Sequence, residues 1–190
     1  MSKGKFIVLE GIDKSGKSTH SKLLVKFLRK KFSTIHTKEP SRGPIGLLLR
    51  KYLRKDSLPL IDALLFTADR VEHQNSVVVP ALKKGKVVVQ ERSFYSTIAY
   101  QQTQGLNEKW LRALNSFALK PNLVILLDIN PRIALKRIRG KEKFETLNFL
   151  YKVRKNYLAL ARKEKFTIIR ADMSKKAVQA EIRNAVGKLL

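Results

Sequence analysis

The sequence predicts an α/β fold, a five-stranded parallel sheet flanked by helices. Three observations carry that reading. Short runs rich in Val, Ile and Leu alternate with longer stretches of helical spacing along all 190 residues. Three of those runs, 5–10 (KFIVLE), 86–91 (KVVVQE) and 122–128 (NLVILLD), are nearly continuous in apolar residues, as parallel strands covered on both faces require. The first run also passes directly into a glycine-containing turn that opens a helical pattern.

In chain order, strands are expected at 5–10, 34–38, 86–91, 122–128 and 166–170 (FTIIR). Helices are expected at about 17–32, 44–54, 58–84, 94–117, 131–139, 144–164 and 175–189. Gly85, after Lys83 and Lys84, reads as a helix stop. Pro80 lies inside the 58–84 pattern and predicts a kink or a break there. Strands alternating with helices imply right-handed crossovers between parallel strands. No repeat, linker or low-complexity segment interrupts the pattern, so 1–190 reads as a single domain.

The absence of cysteine excludes disulfides and thiolate metal sites. A reducing cytoplasmic compartment is the simplest home for such a chain, and the composition also suits a thermophilic source. No run approaches the roughly 20 apolar residues that cross a bilayer, and no membrane partner is expected. The N-terminus enters its first strand too soon for a signal peptide. Forty Lys and Arg against fifteen Asp and Glu give a net charge of +25. Such a field attracts polyanions, but the basic residues are spread along the chain rather than gathered in a tail. Nucleic acid is therefore expected only as a non-specific partner, held through charge.

Residues 11–18 read GIDKSGKS, a full match to G-x-x-x-x-G-K-[ST] between a strand and a helix. Gly11 and Gly16 let the backbone wrap a phosphate, and the helix N-terminus aims N–H groups and a positive dipole end at it. The nucleotide-binding set is thus Gly11, Ile12, Asp13, Lys14, Ser15, Gly16, Lys17, Ser18 and Thr19. Lys17 is placed to reach the β and γ phosphates of ATP, and Ser18 to hold Mg²⁺ through its hydroxyl. The architecture is accordingly of the P-loop NTPase type, a class that also holds motors and switches.

The order of EGIDKSGKS, KEP, LLFTADR, ERSFYSTIAYQ, LVILLDINP and RGKEKFE resembles the thymidylate kinase family element by element, from residue 6 into the last helix. The resemblance implies transfer of the γ-phosphoryl group of Mg-ATP to dTMP, giving dTDP, by a homodimer. It also implies a short lid at about 139–145 over ATP, with Arg139 as its catalytic cation and Lys141 and Lys143 beside it; a solvated basic turn is the alternative.

Further roles follow from the same resemblance. Asp13 contacts the sugar 3′-hydroxyl, or else caps a turn; Lys14 reaches the transferring phosphoryl group, or is solvated. Phe66 stacks on the thymine and Arg70, four residues on and on the same helix face, binds a base carbonyl. Arg92 binds the acceptor phosphate with its planar fork, and Glu91 serves Mg²⁺ or orients that phosphate. Thr97 and Gln101 meet the base edge or simply pack, Ser96 lies beside them, and Tyr100 crowds the sugar 2′ position. Lys38 stands where the family has Arg, with Arg42 nearby; Glu91 stands for the usual Asp, and Ser93 for an aromatic residue or His. Asp128 reads equally as ligand or cap, Arg137 as facing adenine, and Asp69 and His73 as structural or solvated. These departures leave two alternatives open: a kinase of broader nucleoside monophosphate specificity, and a nucleic-acid-binding ATPase or polynucleotide-end kinase.

Overall fold

The computed structural model describes residues 4–55, 57–137 and 146–190. Its elements run β1 (Lys5–Glu10), α1 (Lys17–Leu28), β2 (Thr34–Lys38), α2 (Pro44–Leu53) and α3 (Pro59–His73). A π-helical segment (Gln74–Val78) leads into α4 (Val79–Lys83), β3 (Val87–Glu91), α5 (Phe94–Thr103) and α6 (Glu108–Leu114). Then follow β4 (Leu123–Asp128), α7 (Pro131–Lys136), α8 (Leu147–Lys163), β5 (Thr167–Arg170) and α9 (Lys175–Gly187). The five strands are parallel in the order β2-β3-β1-β4-β5.

After β1 the chain moves out to β2, returns through β3 and then crosses over to β4, so the strand order reverses around β1 and β3. In open α/β sheets that reversal leaves a crevice at the carboxyl ends of the strands. Register sharpens the placement: Glu91 lies level with Leu9 of β1 and with Lys38 of β2. The segments after all three strands therefore leave the sheet at one edge.

Alternation along each strand divides the core between two faces. Phe6, Val8 and Val88 pack with Val78 and Ala81, whereas Ile7, Leu9, Val87 and Val89 join a larger cluster that includes Leu24, Leu28, Ile98 and Ile182. Each fully buried aliphatic side chain of this kind contributes about 1.5–3 kcal/mol.

Two long expected helices are divided. The 58–84 stretch changes to a π turn just before Pro80, where Val79 N–H donates to Gln74 C=O. Pro80 has no N–H, and in an α-helix its ring would strike the carbonyl four residues earlier; the wider turn accommodates both defects. The 94–117 stretch stops at Thr103 and resumes at Glu108. Gly105 takes φ +97° there, with Gly105 N–H on Gln102 C=O and Leu106 N–H on Gln101 C=O, the paired bonds of a left-handed C-cap. Asn107 then caps α6 by accepting from Trp110 N–H (3.1 Å). The first helix is also shorter than expected, ending at Leu28 with residues 29–32 in turn geometry.

Candidate active site

The phosphate loop joins β1 to α1. Gly11 has φ +144°, and a Cβ there would lie 2.6 Å from Leu127 O, so no side chain fits. Lys17 is buried and donates to Gly11 O (2.9 Å) and Ile12 O (2.8 Å), folding back over the loop. Burial, with Arg92 adding to it, pushes the Lys17 ammonium down to about 7 against the opposing pull of Asp13, Glu10 and Glu91. A bound polyphosphate would oppose that depression and favour the charged form.

On one side of the loop stands Glu91, at the end of β3. Ser18 Oγ donates to its Oε2 (2.5 Å), Ser21 Oγ to its Oε1 (2.8 Å), and His36 Nε2 lies 2.8 Å from Oε1. Burial would raise this carboxyl, but the hydrogen bonds from His36, Ser18 and Ser21 prevail and hold it at about 2. Ser18 and Glu91 thus meet as the two sequence-predicted metal ligands. An ionised carboxylate and a hydroxyl form a hard oxygen pair that fits Mg²⁺, which characteristically takes few protein ligands and completes its shell with water and phosphate.

On the other side stands Arg92. Its φ of +66° is rare for a residue with a side chain, a departure that concentrates at functional sites. The guanidinium donates to Asp13 Oδ1 (2.5 Å) and lies over the Tyr100 ring, 5.1 Å from its centroid. Tyr100 OH donates to Asp13 Oδ2 (2.8 Å) and accepts from Asp13 N–H (3.1 Å). Burial pushes the Asp13 carboxyl up, yet Arg92, Lys17 and the Tyr100 hydroxyl bring it below its usual value. Asp13, Lys14, Lys17, Ser18, Lys38, Glu91 and Arg92 all line one cleft of about 480 Å³, together with Thr19, Arg50 and Arg137.

Arg70 sits deeper. Its Nε and Nη2 donate to Glu39 Oε2 (2.9 and 2.7 Å), its Nη2 also to Thr97 Oγ1 (3.1 Å), and its Nη1 to Asn115 Oδ1. A guanidinium carries five N–H groups, so four bonds leave one N–H, on Nη1, for any further acceptor. Burial would raise Glu39, but Arg70 and then His73 bring its pKa down. Phe66 is half-buried one turn earlier on α3, and Thr97 and Gln101 are buried on α5, where Gln101 Oε1 has no hydrogen-bond partner among the described residues.

The remaining candidates resolve geometrically. Ser96 binds Arg92 Nη1 (3.1 Å). Asp128 is clasped by Arg154 Nε and Nη2 (2.6 and 2.8 Å), a link from β4 to α8. Asp69 is fully buried and accepts from Ser41 N–H and Oγ, and His73 Nε2 meets Thr37 Oγ1, so both are structural. Arg137 Nη1 donates to Lys14 O (3.3 Å) at the rim. Arg139 and the expected lid at about 139–145 lie outside the described residues.

Sequence reasoning missed several members. Arg50 holds Ser41 O and Pro40 O from α2 and adds charge to the cleft. Glu10 is fully buried and accepts from Ser93, Ser96 and Tyr157. The signal for Glu10 was available: an acid on the buried face shared with Phe6 and Val8 is anomalous. Nothing local announced Tyr157, which lies 147 residues further along the chain.

A strand-to-helix phosphate loop, a lysine folded over it, a carboxylate at the end of the neighbouring strand and a cationic cleft between them define a P-loop phosphotransferase class. Residues 9–182 match the family model described as "Thymidylate kinase". The chain is 42% identical to a "Probable thymidylate kinase" of Pyrobaculum aerophilum over 190 residues, covering 97% of each chain. It is 43% identical to proteins of the same description from Thermococcus gammatolerans (97% of this chain, 95% of the relative) and Methanocaldococcus jannaschii (95% and 93%). The chain belongs to the thymidylate kinase family. It is a kinase with ATP as its phosphoryl donor, and no helix among the described residues is long and apolar enough to cross a membrane.

Proposed function

We propose that the protein transfers the γ-phosphoryl group of ATP to the phosphate of dTMP, giving ADP and dTDP, as a single cytoplasmic domain. The observation that carries this reading is the meeting, in one cleft, of the phosphate loop with Arg92 and with Asp13, whose carboxylate Tyr100 holds. An acceptor phosphate oxygen attacks the γ-phosphorus as the bond from that phosphorus to the β-phosphate oxygen breaks, and ADP leaves. A phosphate monoester is mostly dianionic at neutral pH, so the attack needs no dedicated base.

What the chain must supply is position and charge. Lys17 exchanges the carbonyls of Gly11 and Ile12 for β and γ phosphate oxygens. Lys14 and Lys38 add charge at the cleft. Arg92 takes the acceptor phosphate, releasing part of its hold on Asp13, whose freed oxygen can accept from the sugar 3′-hydroxyl. Tyr100, fixed by Asp13, occupies the space a 2′-hydroxyl would need. Phe66 stacks on the base, Arg70 offers it one N–H, and Thr97 and Gln101 flank its edge. Ser18 and Glu91 would hold Mg²⁺, whose chemistry is to neutralise charge shared by the β and γ oxygens.

Exposed Leu60, Leu64 and Val71 form one stripe along α3, with Leu47 exposed on α2, and this apolar face supports pairing as a homodimer. The test of the function is ADP formation from Mg-ATP with dTMP, dUMP, ribo-TMP, dGMP, AMP and a 5′-hydroxyl oligonucleotide. A clear preference for dTMP over ribo-TMP and dGMP is expected. Comparable rates across the monophosphates would remove the specificity assignment, and turnover with the oligonucleotide alone would overturn the reading.

A further inference from the structure

Arg92 must hold its guanidinium steady although its backbone is in the left-handed region. Asp13 fixes one side. The other side is fixed from beneath, where Nη1 donates to Ser96 Oγ (3.1 Å) and lies 3.5 Å from Tyr157 OH. Those hydroxyls, 2.7 Å apart, both reach Glu10 Oε2, Ser96 at 2.7 Å and Tyr157 at 3.0 Å. Ser93 Oγ donates to Glu10 Oε1 (2.7 Å). Glu10 ends β1 and is wholly enclosed.

The direction of the protons is what matters. An ionised carboxylate only accepts, so the hydroxyls around it must turn their O–H groups inward and their lone pairs outward. At Ser96 and Tyr157 those lone pairs are what the Arg92 N–H meets. A carboxamide keeps one acceptor oxygen and puts N–H donors in place of the other; where those donors face Ser96 and Tyr157, a hydroxyl must turn around and point a hydrogen at the guanidinium.

We propose that Glu10 is a positioning residue for phosphoryl transfer, aiming the Arg92 guanidinium at the acceptor phosphate through the hydroxyls of Ser96 and Tyr157. This rests on the acceptor-phosphate role proposed for Arg92. The arrangement is held against a cost to the fold. Burial raises the Glu10 carboxyl above its ordinary value, despite opposition from Ser93, Ser96, Arg92 and Tyr157. A raised carboxyl contributes stability below its unfolded value and loses it as pH rises through the folded one, so ionised Glu10 is a burden on the fold.

The test compares Glu10→Gln with wild type in steady-state kinetics and thermal unfolding at neutral pH. Misaiming a substrate-binding group costs about 10²-fold. The expected result is a fall of that order in kcat/KM for dTMP, an unchanged KM for ATP, and a Tm no lower than wild type. A lowered Tm with parallel losses for both substrates would reduce Glu10 to a structural role, and an unchanged kcat/KM for dTMP would overturn the inference. The double variant Ser96→Ala/Tyr157→Phe gives a second reading: Glu10→Gln added to it should cost little more, and a full additional loss would exclude the hydroxyl route. If Arg92→Ala leaves kcat/KM for dTMP unchanged, the role of Arg92 falls and this inference falls with it. If only Glu10→Gln is silent, the role of Arg92 stands.

Discussion

Arg70 and Arg92 are each paired with a carboxylate, and the two pairs could hardly be situated more differently. Arg70 and Glu39 have side chains 1% exposed, and four hydrogen bonds from the guanidinium end on protein atoms. Arg92 and Asp13 keep 16% and 29% of their side-chain surface at the cleft. A sealed ion pair cannot exchange partners without leaving a buried charge uncompensated, whereas a pair facing a cleft can replace one oxygen anion with another. The first pair therefore holds α3 against the segment after β2. The second has the exchangeable geometry that the acceptor-phosphate role proposed for Arg92 requires, with Asp13 keeping the cation ordered meanwhile.

The largest effect expected of any single change belongs to the cleft. Lys17→Ala should cut turnover by on the order of 10³ or more, about 4 kcal/mol in activation free energy. Its Tm should not fall. A folded-state lysine pKa of about 7 means that the native state binds that proton more weakly than the unfolded chain, so the charged group costs stability at neutral pH. Turnover near wild type in this variant would sink the mechanism.

The sealed pair should respond in the opposite currency. Glu39→Ala strands the Arg70 charge and is expected to cost about 3–5 kcal/mol, a fall in Tm of about 10 °C. Asp13→Asn, at the open pair, should move Tm by only a few degrees while weakening the acceptor. Equal thermal losses in both variants, measured by calorimetry, would erase the distinction between the pairs.

The smallest effect concerns Glu91, across the phosphate loop from Asp13. Its carboxyl is held at about 2 against an ordinary 4.5. Its contribution to stability is therefore present above about pH 4.5 and lost as pH falls toward 2. Ser21→Ala removes one of the three hydrogen bonds responsible, and should shift the acid-unfolding midpoint, followed by circular dichroism, upward by a fraction of a pH unit. A midpoint that does not move would remove the Ser21 hydroxyl from the groups that hold Glu91.

The parts of the fold legible in the sequence are those governed by neighbours. The apolar runs of β1, β3 and β4 and the loop of residues 11–18 were read within a residue or so, since strand burial and phosphate-loop geometry are written in consecutive positions. Helix ends were harder. Pro80 signalled trouble in its helix, but the π turn before it depends on where the freed carbonyls find room. Gly105 and Asn107 mark the end of α5 and the cap of α6, and helical spacing on either side masked them.

Among the site residues, Ser18 and Glu91 were expected together and are together. Arg70 was expected at the base edge, and its guanidinium is instead 1% exposed, with four hydrogen bonds to Glu39, Thr97 and Asn115. Asp128, ambiguous as ligand or cap, is an ion-pair partner of Arg154. Local periodicity and backbone freedom suffice for the sheet, the phosphate loop and the charged residues at the strand ends, so consecutive residues announce them. Only the tertiary structure decided which arginine is sealed and which stands open, and that Glu10 lies beneath Arg92. Their partners come from 31, 79 and 147 residues away, and at such separations packing rather than local preference chooses the neighbour.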